Sequence, residues 1–468
     1  MRRVRSLAPM VVGVVLATLG LYTLIQPAAG GHGHGLPQWW KPPKDVRAQL
    51  ADVSARSLER YDRALVGFGT RHTLSSQDDP TRGIGAARDY IKSQFDQIAA
   101  TSGGRMTVEL QSFIQPVSPR VPVPTPITNV VATLQGTDPS SADRIYVVSG
   151  HYDSRVTDVM NATSDAPGAN DDASGTSAVL ELARVLAKRP TEATIKFVAF
   201  AGEEQGLYGS AHFAQFAKAA GWNIQGVLNM DIIGSPVGGN GIRSPHIIRL
   251  FSEGVPTSET AAETARRQSI GGENDGVSRQ LARYVKETGQ NSATDMTVKL
   301  VWRRDRFLRG GDQISFLQQG WAGVRFTEPV ENFDHQHQDV RVENGKQIGD
   351  LPQFVDFRYL ARVTRVVGSS LAALARSPRA PGNARIISAN LSYDTELRWN
   401  ANPEADIAGY EIVWRDSTIP LWDHVRRVGN VTSYTIKDLN KDDNQVGVRA
   451  IDRDGNRSPV AYPIPAAQ

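Results

Sequence analysis

Four short segments carry imidazole and carboxylate groups that could act together: Gly150-His151-Tyr152-Asp153, Gly168-Ala169-Asn170-Asp171-Asp172-Ala173-Ser174-Gly175, Ala201-Gly202-Glu203-Glu204-Gln205-Gly206 and Asn229-Met230-Asp231-Ile232. The chain has no cysteine, so any zinc must be held by histidine nitrogen and carboxylate oxygen. Two metals about 3.5–4 Å apart need one carboxylate able to bridge them and further ligands on each side. Asp153 follows His151 by two positions and on extended chain points to the same side. It could accept the imidazole's other N–H and fix its tautomer. Glu203 and Glu204, as neighbours on extended chain, would point opposite ways. One could then ligate metal while the other takes a proton from the reacting water.

Taken singly these pieces are bland. A His-x-Asp is structural more often than not, Asp-Asp before Ser-Gly commonly caps a helix, and paired glutamates commonly form a solvated face. Their positions along the chain raise the chemical reading. Val108 to Phe113, Ile127 to Leu134, Arg144 to Ser149, Ile195 to Phe200 and Val227 to Met230 read as strands. Ile84 to Ala99, Gly175 to Lys188 and Ser210 to Ala220 read as helices, as do Val277 to Thr288 and Phe354 to Ala375 farther on. Val298 to Trp302 and Val324 to Phe326 read as extended. Strands alternating with helices predict an α/β fold with a mostly parallel central sheet flanked by helices. Each cluster sits at or just beyond a strand end, where open α/β sheets bind ligands.

Together, and in this order, the four segments resemble the M28 family of zinc peptidases, over roughly residues 80 to 375. The resemblance implies a zinc exopeptidase-like fold with two zinc ions per chain. It makes His151 and Asp231 ligands of one metal, Asp171 the bridge and Glu204 a ligand of the second. Glu203 would be the general base, with Asp153 orienting His151. A late histidine completes the set. Within Asn332-Phe333-Asp334-His335-Gln336-His337-Gln338-Asp339 the expected ligand is His337, with His335 the alternative. Two departures stand out. Gln313, in Gly311-Asp312-Gln313-Ile314-Ser315-Phe316, replaces a histidine that the family usually carries. The stretch from Asp231 to the late histidine is also long and contains Arg303-Arg304-Asp305-Arg306. It is read equally as a substrate-pocket insertion and as a surface excursion.

The activity so implied is aminopeptidase hydrolysis of N-terminal peptide bonds, by a water bridging two zinc ions. Glutaminyl-cyclase-like or carboxypeptidase chemistry on the same fold, or a non-catalytic binding protein, are the alternatives. The partner is a peptide or protein substrate. A net charge of +3 over 468 residues gives no basic stretch suited to nucleic acid. Arg2, Arg3 and Arg5 precede an apolar run from Leu7 to Ile25 and a small-residue stretch at Pro27-Ala28-Ala29-Gly30. That is the order of a secretory signal, and the run is long enough to remain as an N-terminal anchor. The expectation is an exported protein, periplasmic or extracellular. Its organisation reads as a signal or anchor (1–30), a linker (31–44) whose glycine tract holds His32 and His34, and a peptidase domain (45–376). A Pro/Gly linker (377–384) and an all-β domain (385–468) follow. Short strands around Trp399, Tyr410, Tyr434 and Val448 give that last domain a resemblance to fibronectin type III sandwiches.

Overall fold

The computed structural model describes residues 40–389 and 391–466. The expected signal or anchor over 1–30, and His32 and His34, lie outside the described residues. Three helices come first: α1 (Lys44–Ala51), α2 (Ala55–Gly67) and α3 (Ile84–Ala99). Ser54 caps α2 by accepting from Ser57 N. Helix α3 buries Ile84, Ala87, Ile91, Phe95 and Ile98, the stripe its spacing predicts.

Next come β1 (Met106–Gln115), β2 (Thr125–Leu134), β3 (Arg144–His151), α4 (Ser174–Leu186), β4 (Thr194–Phe200), α5 (Glu203–Gly206), α6 (Tyr208–Ala219) and β5 (Asn223–Met230). They are followed by β6 (Ile247–Ser252), α7 (Ala261–Ser269), α8 (Val277–Gly289), β7 (Thr297–Val301), α9 (Gln313–Leu317) and β8 (Gly323–Thr327). A small hairpin, β9 (Arg341–Glu343) with β10 (Lys346–Ile348), then leads to α10 (Phe357–Arg376).

Eight strands make one sheet in the order β1-β2-β4-β3-β5-β8-β6-β7. The central β4, β3, β5 and β8 run parallel to one another. Antiparallel pairings join β2 to β4 and β6 to β8. Alternate residues of the central strands pack on opposite faces. Tyr146, Val148, Phe197, Ala199 and Leu228 meet the helices of the larger core, while Val147, Val198, Phe200 and Val227 meet Phe213 and Phe316. Burial on both faces is why these strands read as continuous apolar runs. The long stretch after Asp231 is no mere surface excursion, because it adds β6 and β7 to the sheet edge.

Seven strands follow α10: β11 (Arg385–Ile387), β12 (Thr395–Arg398), β13 (Ile407–Asp416), β14 (His424–Val428), β15 (Ser433–Ile436), β16 (Asn444–Asp452) and β17 (Ile464–Pro465). They form sheets ordered β15-β12-β11-β17 and β14-β13-β16, which share a core around Trp399, Tyr410, Ile412 and Val448. This unit docks on α8 and the turn before it. Arg415 pairs with buried Asp275 at 2.6 Å, Arg449 with Glu287 at 2.7 Å, and Trp422 Nε1 donates to Gln280 at 3.1 Å. The Pro/Gly segment between the two parts is packed down. Ser377 is buried and Arg379 bonds to Ser140 O and Glu404.

Candidate metal centre

Parallel strands deliver their carboxyl ends to one edge of the sheet, and the acidic clusters follow from that. His151 ends β3 and Asp231 is the first residue after β5. Gly202, in the left-handed region at φ 74°, ends the extended run after β4 and starts α5 with Glu203 and Glu204. His337 lies in the loop beyond β8. Asp171 sits in the turn ahead of α4 and is joined to Asp172 by a cis peptide bond.

The side chains collect into two adjoining groups, His151 with Glu203 and Asp231, and Asp171 with Glu204 and His337. Within each, one ligand atom per residue lies within 4.8 Å of the others. Asp171 touches both. Its Oδ1 lies 3.2 Å from His151 Nε2 and its Oδ2 2.9 Å from His337 Nε2. His337 Nε2 is also 3.0 Å from Glu204 Oε1, and Asp231 Oδ2 is 3.9 Å from His151 Nε2. His335 is placed elsewhere: it stacks on Phe354 with ring centroids 3.8 Å apart. His337 adopts φ 56°, a region that side-chain-bearing residues seldom occupy and that costs about 1–3 kcal/mol.

Two details differ from the sequence expectation. Glu203 and Glu204 are not on extended chain; they open a four-residue helical turn. They still part company, one to each group, because the turn rotates successive side chains by about 100°. Asp153 spends its carboxylate chiefly on that turn, accepting from Glu204 N at 3.1 Å, Glu203 N at 3.3 Å and Thr73 Oγ1 at 3.0 Å. The ring Nδ1 of His151 lies nearer Asp153 O (3.1 Å) than Asp153 Oδ1 (3.5 Å). Asp153 thus positions the histidine and both glutamates at once. Asp172 takes the capping role. It accepts from His151 N, Gly175 N and Ile232 N, tying β3, α4 and the end of β5 together. That knot needs Gly175, since a Cβ there would stand 2.3 Å from Met230 O and 2.4 Å from Asp172 Oδ2.

The electrostatics of the cluster suit a cation. Burial, reinforced by Asp231 and Glu204, pushes the Glu203 carboxyl well above the usual range against the pull of His151. Burial likewise raises Asp231, with Arg325 and His151 opposing and Asp171 adding to it. Asp171 goes the other way. Burial disfavours its ionised form, but His337 and His151 outweigh that and hold it well below the usual range. Buried carboxylates crowded against imidazoles, with no thiolate present, are a donor set that fits zinc.

Sequence reasoning missed the arginines. Arg325, inside buried β8, places Nη2 2.6 Å from Asp231 Oδ1. Asp231 therefore presents Oδ2 to His151. A charge in the middle of the apolar run Val324-Arg325-Phe326 was the available signal, because a buried guanidinium demands a partner. Arg155 Nε lies 3.1 Å from Glu204 Oε2, and its Nη2 lies 2.6 Å from His337 Nδ1. Gln313 stands behind the site, donating to Asp305 Oδ2 at 2.7 Å.

The sequence profile of peptidase family M28 matches residues 129–346. A protein of Leptosphaeria maculans described as a "probable zinc metalloprotease" is 49% identical over 424 residues, covering 91% of this chain and 98% of its own length. One of Pyricularia oryzae with the same description is 51% identical over 431 residues, covering 91% of this chain and 85% of its own. Among solved structures, the LapA aminopeptidase of Legionella pneumophila superposes with a TM-score of 0.50 at 18% identity, over 71% of this chain and 75% of that one. LapB of the same organism also gives 0.50, at 18% identity, over 73% and 78%. These structural likenesses are of fold.

Proposed function

This chain is a zinc metallopeptidase that belongs to peptidase family M28, and on that premise we propose that it is an exported aminopeptidase working with two zinc ions. The observation that carries the two-ion reading is Asp171, whose two oxygens each face a different histidine. In this reading His151 and Asp231 would hold one ion and Glu204 and His337 the other, with Asp171 available to both groups. When bound, zinc supplies Lewis acidity toward the attacking water and the scissile carbonyl.

The chain's own residues do the rest. Glu203 lines the pocket beside both groups, with no protein hydrogen bond to its carboxylate among the described residues. It takes the proton from the attacking water and returns it to the leaving amine. Asp153 holds Glu203 in place through its backbone N–H. Arg325 fixes the rotation of Asp231, so that one oxygen faces the site. The carboxylates of the cluster attract the free α-ammonium of an unblocked peptide, which favours N-terminal residues.

Export is proposed from the basic, apolar and small-residue order of residues 1–30. Among the described residues no helix is long and apolar enough to cross a membrane. The C-terminal unit is assigned as a fibronectin type III-like docking module, supported by its seven strands and shared aromatic core.

The test is metal analysis of the purified protein, with digestion of a peptide library. Two zinc ions per chain and chelator-sensitive release of N-terminal residues are expected. A single ion, or cleavage confined to internal bonds, would overturn the reading.

A further inference from the structure

Four guanidinium groups line the pocket at the metal cluster: Arg120, Arg155, Arg306 and Arg309. The pocket encloses about 360 Å³, at the small end of the roughly 300–1,000 Å³ of ligand sites. It holds a residue or two, not a long stretch of chain. Three of the cluster's carboxylates, Asp171, Glu204 and Asp231, are assigned to metal in this reading, and Glu203 to the proton of the attacking water. Arg155 is held by Glu204 and His337, whereas the other three are only partly balanced. Arg306 Nη1 and Arg309 Nη1 both rest on Glu331 Oε2, at 3.3 and 2.5 Å, while Arg249 takes Glu331 Oε1 at 3.0 Å. Three guanidinium groups thus share that carboxylate. The second partner of Arg306, Asp305, is itself shared with Arg325. Exposed Arg120, which lines the same pocket, donates to the carbonyl oxygen of Glu204 at 3.0 Å and has no carboxylate partner among the described residues.

The loop that carries Arg306 and Arg309 reverses the usual arrangement. Its apolar residues, Phe307 and Leu308, are 74% and 92% exposed, while Arg306 is 8% exposed in its side chain. Leu308 adopts φ 56°, in the left-handed region. A loop that turned inward for packing alone would bury the phenylalanine and leucine and expose the arginines. Strained backbone that aims charge into a cleft points to a ligand.

Resting on the peptidase reading above, we propose that this enzyme selects substrates bearing a carboxylate next to the scissile bond, bound by Arg306 and Arg309 together with Arg120 of the same pocket. The carboxylate has two sources: an acidic side chain at the peptide's N-terminal residue, or the free α-carboxylate of a very short peptide. Guanidinium pairs recognise either through charge-assisted hydrogen bonds.

The experiment uses the zinc-loaded full chain. kcat/KM is compared for peptides beginning with Glu or Gln, and for dipeptides with a free or an amidated C-terminus. The binding of L-glutamate and L-glutamine is measured by calorimetry. An acid-over-amide preference of at least about tenfold is expected in one substrate pair, falling by about tenfold in Arg309→Ala and in Arg120→Ala, and weakening as salt is raised. The exposed Arg120 keeps the test valid if Arg309→Ala fails to fold. Hydrolysis with equal rates for acid and amide, and no discrimination between glutamate and glutamine, would overturn this proposal while leaving the peptidase reading intact. Arginine-dependent glutamate binding by a chain that cleaves no peptide would support the anion site and overturn the peptidase reading.

Discussion

Arg325 Nη2 lies 2.6 Å from Asp231 Oδ1, a fully buried pair directly behind the histidine and carboxylate cluster. The guanidinium also reaches Asp305 Oδ2 at 3.5 Å and Gly310 O at 2.6 Å, so it joins the end of β5 to the arginine-bearing loop. Arg325→Met would leave Asp231 and Asp305 without that buried charge. Removing one partner of a buried pair costs about 3–5 kcal/mol. Denaturant unfolding should show a loss of that size, and zinc affinity should fall because Asp231 is free to rotate. A variant as stable as the parent would mean that water or Arg306 substitutes for the guanidinium.

In the proposed mechanism Glu203 accepts the proton, while Glu204 makes the contact with His337. Glu203→Gln keeps the shape and the helical turn. Zinc content should stay at the parental level while kcat drops by about 10²–10⁴-fold. Metal loss in the variant would reassign Glu203 from proton transfer to ligation.

How much of this site was legible follows from what each residue reports about itself. His151 ends β3, Asp231 directly follows β5, and Asp171 and Glu204 lie in the turns beyond β3 and β4, so chain pattern brings them to one edge of the sheet. The late histidine was not separable from pattern: His335 and His337 differ only in which way an irregular loop turns, and the loop turns His335 onto Phe354. The helical turn at Glu203 hangs on Gly202 reaching positive φ, which the letter Gly permits without requiring. β6 gives little strand signal because Arg249 interrupts its apolar run, and that arginine's partners, Glu328 O and Glu331, lie far along the chain. Four of the seven C-terminal strands, β12, β13, β15 and β16, were legible one by one from alternation, while β11, β14 and β17 were not. Their docking through Arg415 and Asp275 was not, since a single-residue ion pair leaves no periodicity.

Gly175→Ala tests the knot that holds β3, α4 and β5 in register. The added methyl meets backbone at Met230 O and the Asp172 carboxylate, which three backbone N–H groups hold in place. Overpacking costs about 1–3 kcal/mol, and the displacement falls on the residue just before Asp231. Activity should therefore fall further than the stability loss alone explains. Activity measured well below the Tm, alongside thermal unfolding, separates the two. Parental activity in a destabilised variant would show that the strain relaxes away from the cluster.

Zinc removal should destabilise the fold as well as silence it. A ligand that binds only the native state contributes about 4 kcal/mol at a thousand times its Kd. Chelator treatment should lower the Tm, zinc should restore it, and Asp171→Asn should abolish the zinc-dependent difference. An unchanged Tm on chelation would place the metal outside the buried carboxylates.

Glu192 offers a pH signature far from the metal cluster. It lies in the turn between α4 and β4, and burial pushes its carboxyl up to about 7, with Arg144 opposing and Asp406 and Asp452 of the C-terminal unit adding to the rise. A raised carboxyl pKa means that the fold favours the protonated form. The resulting stabilisation is fully present below the ordinary value of 4.5 and is lost as pH climbs through about 7. Glu192→Gln is neutral throughout and escapes that loss. The variant should match the parent near pH 4 and gain on it steadily to pH 8, by about 1 kcal/mol once solvent screening of this half-buried group is allowed for. Urea unfolding of both proteins across this range isolates the effect, because every other titrating group is common to the two. A difference that did not grow with pH would mean that the C-terminal unit's aspartates and Arg144 balance at Glu192. The unit would then dock without electrostatic cost on that side, leaving Arg415 and Arg449 as its charged anchors.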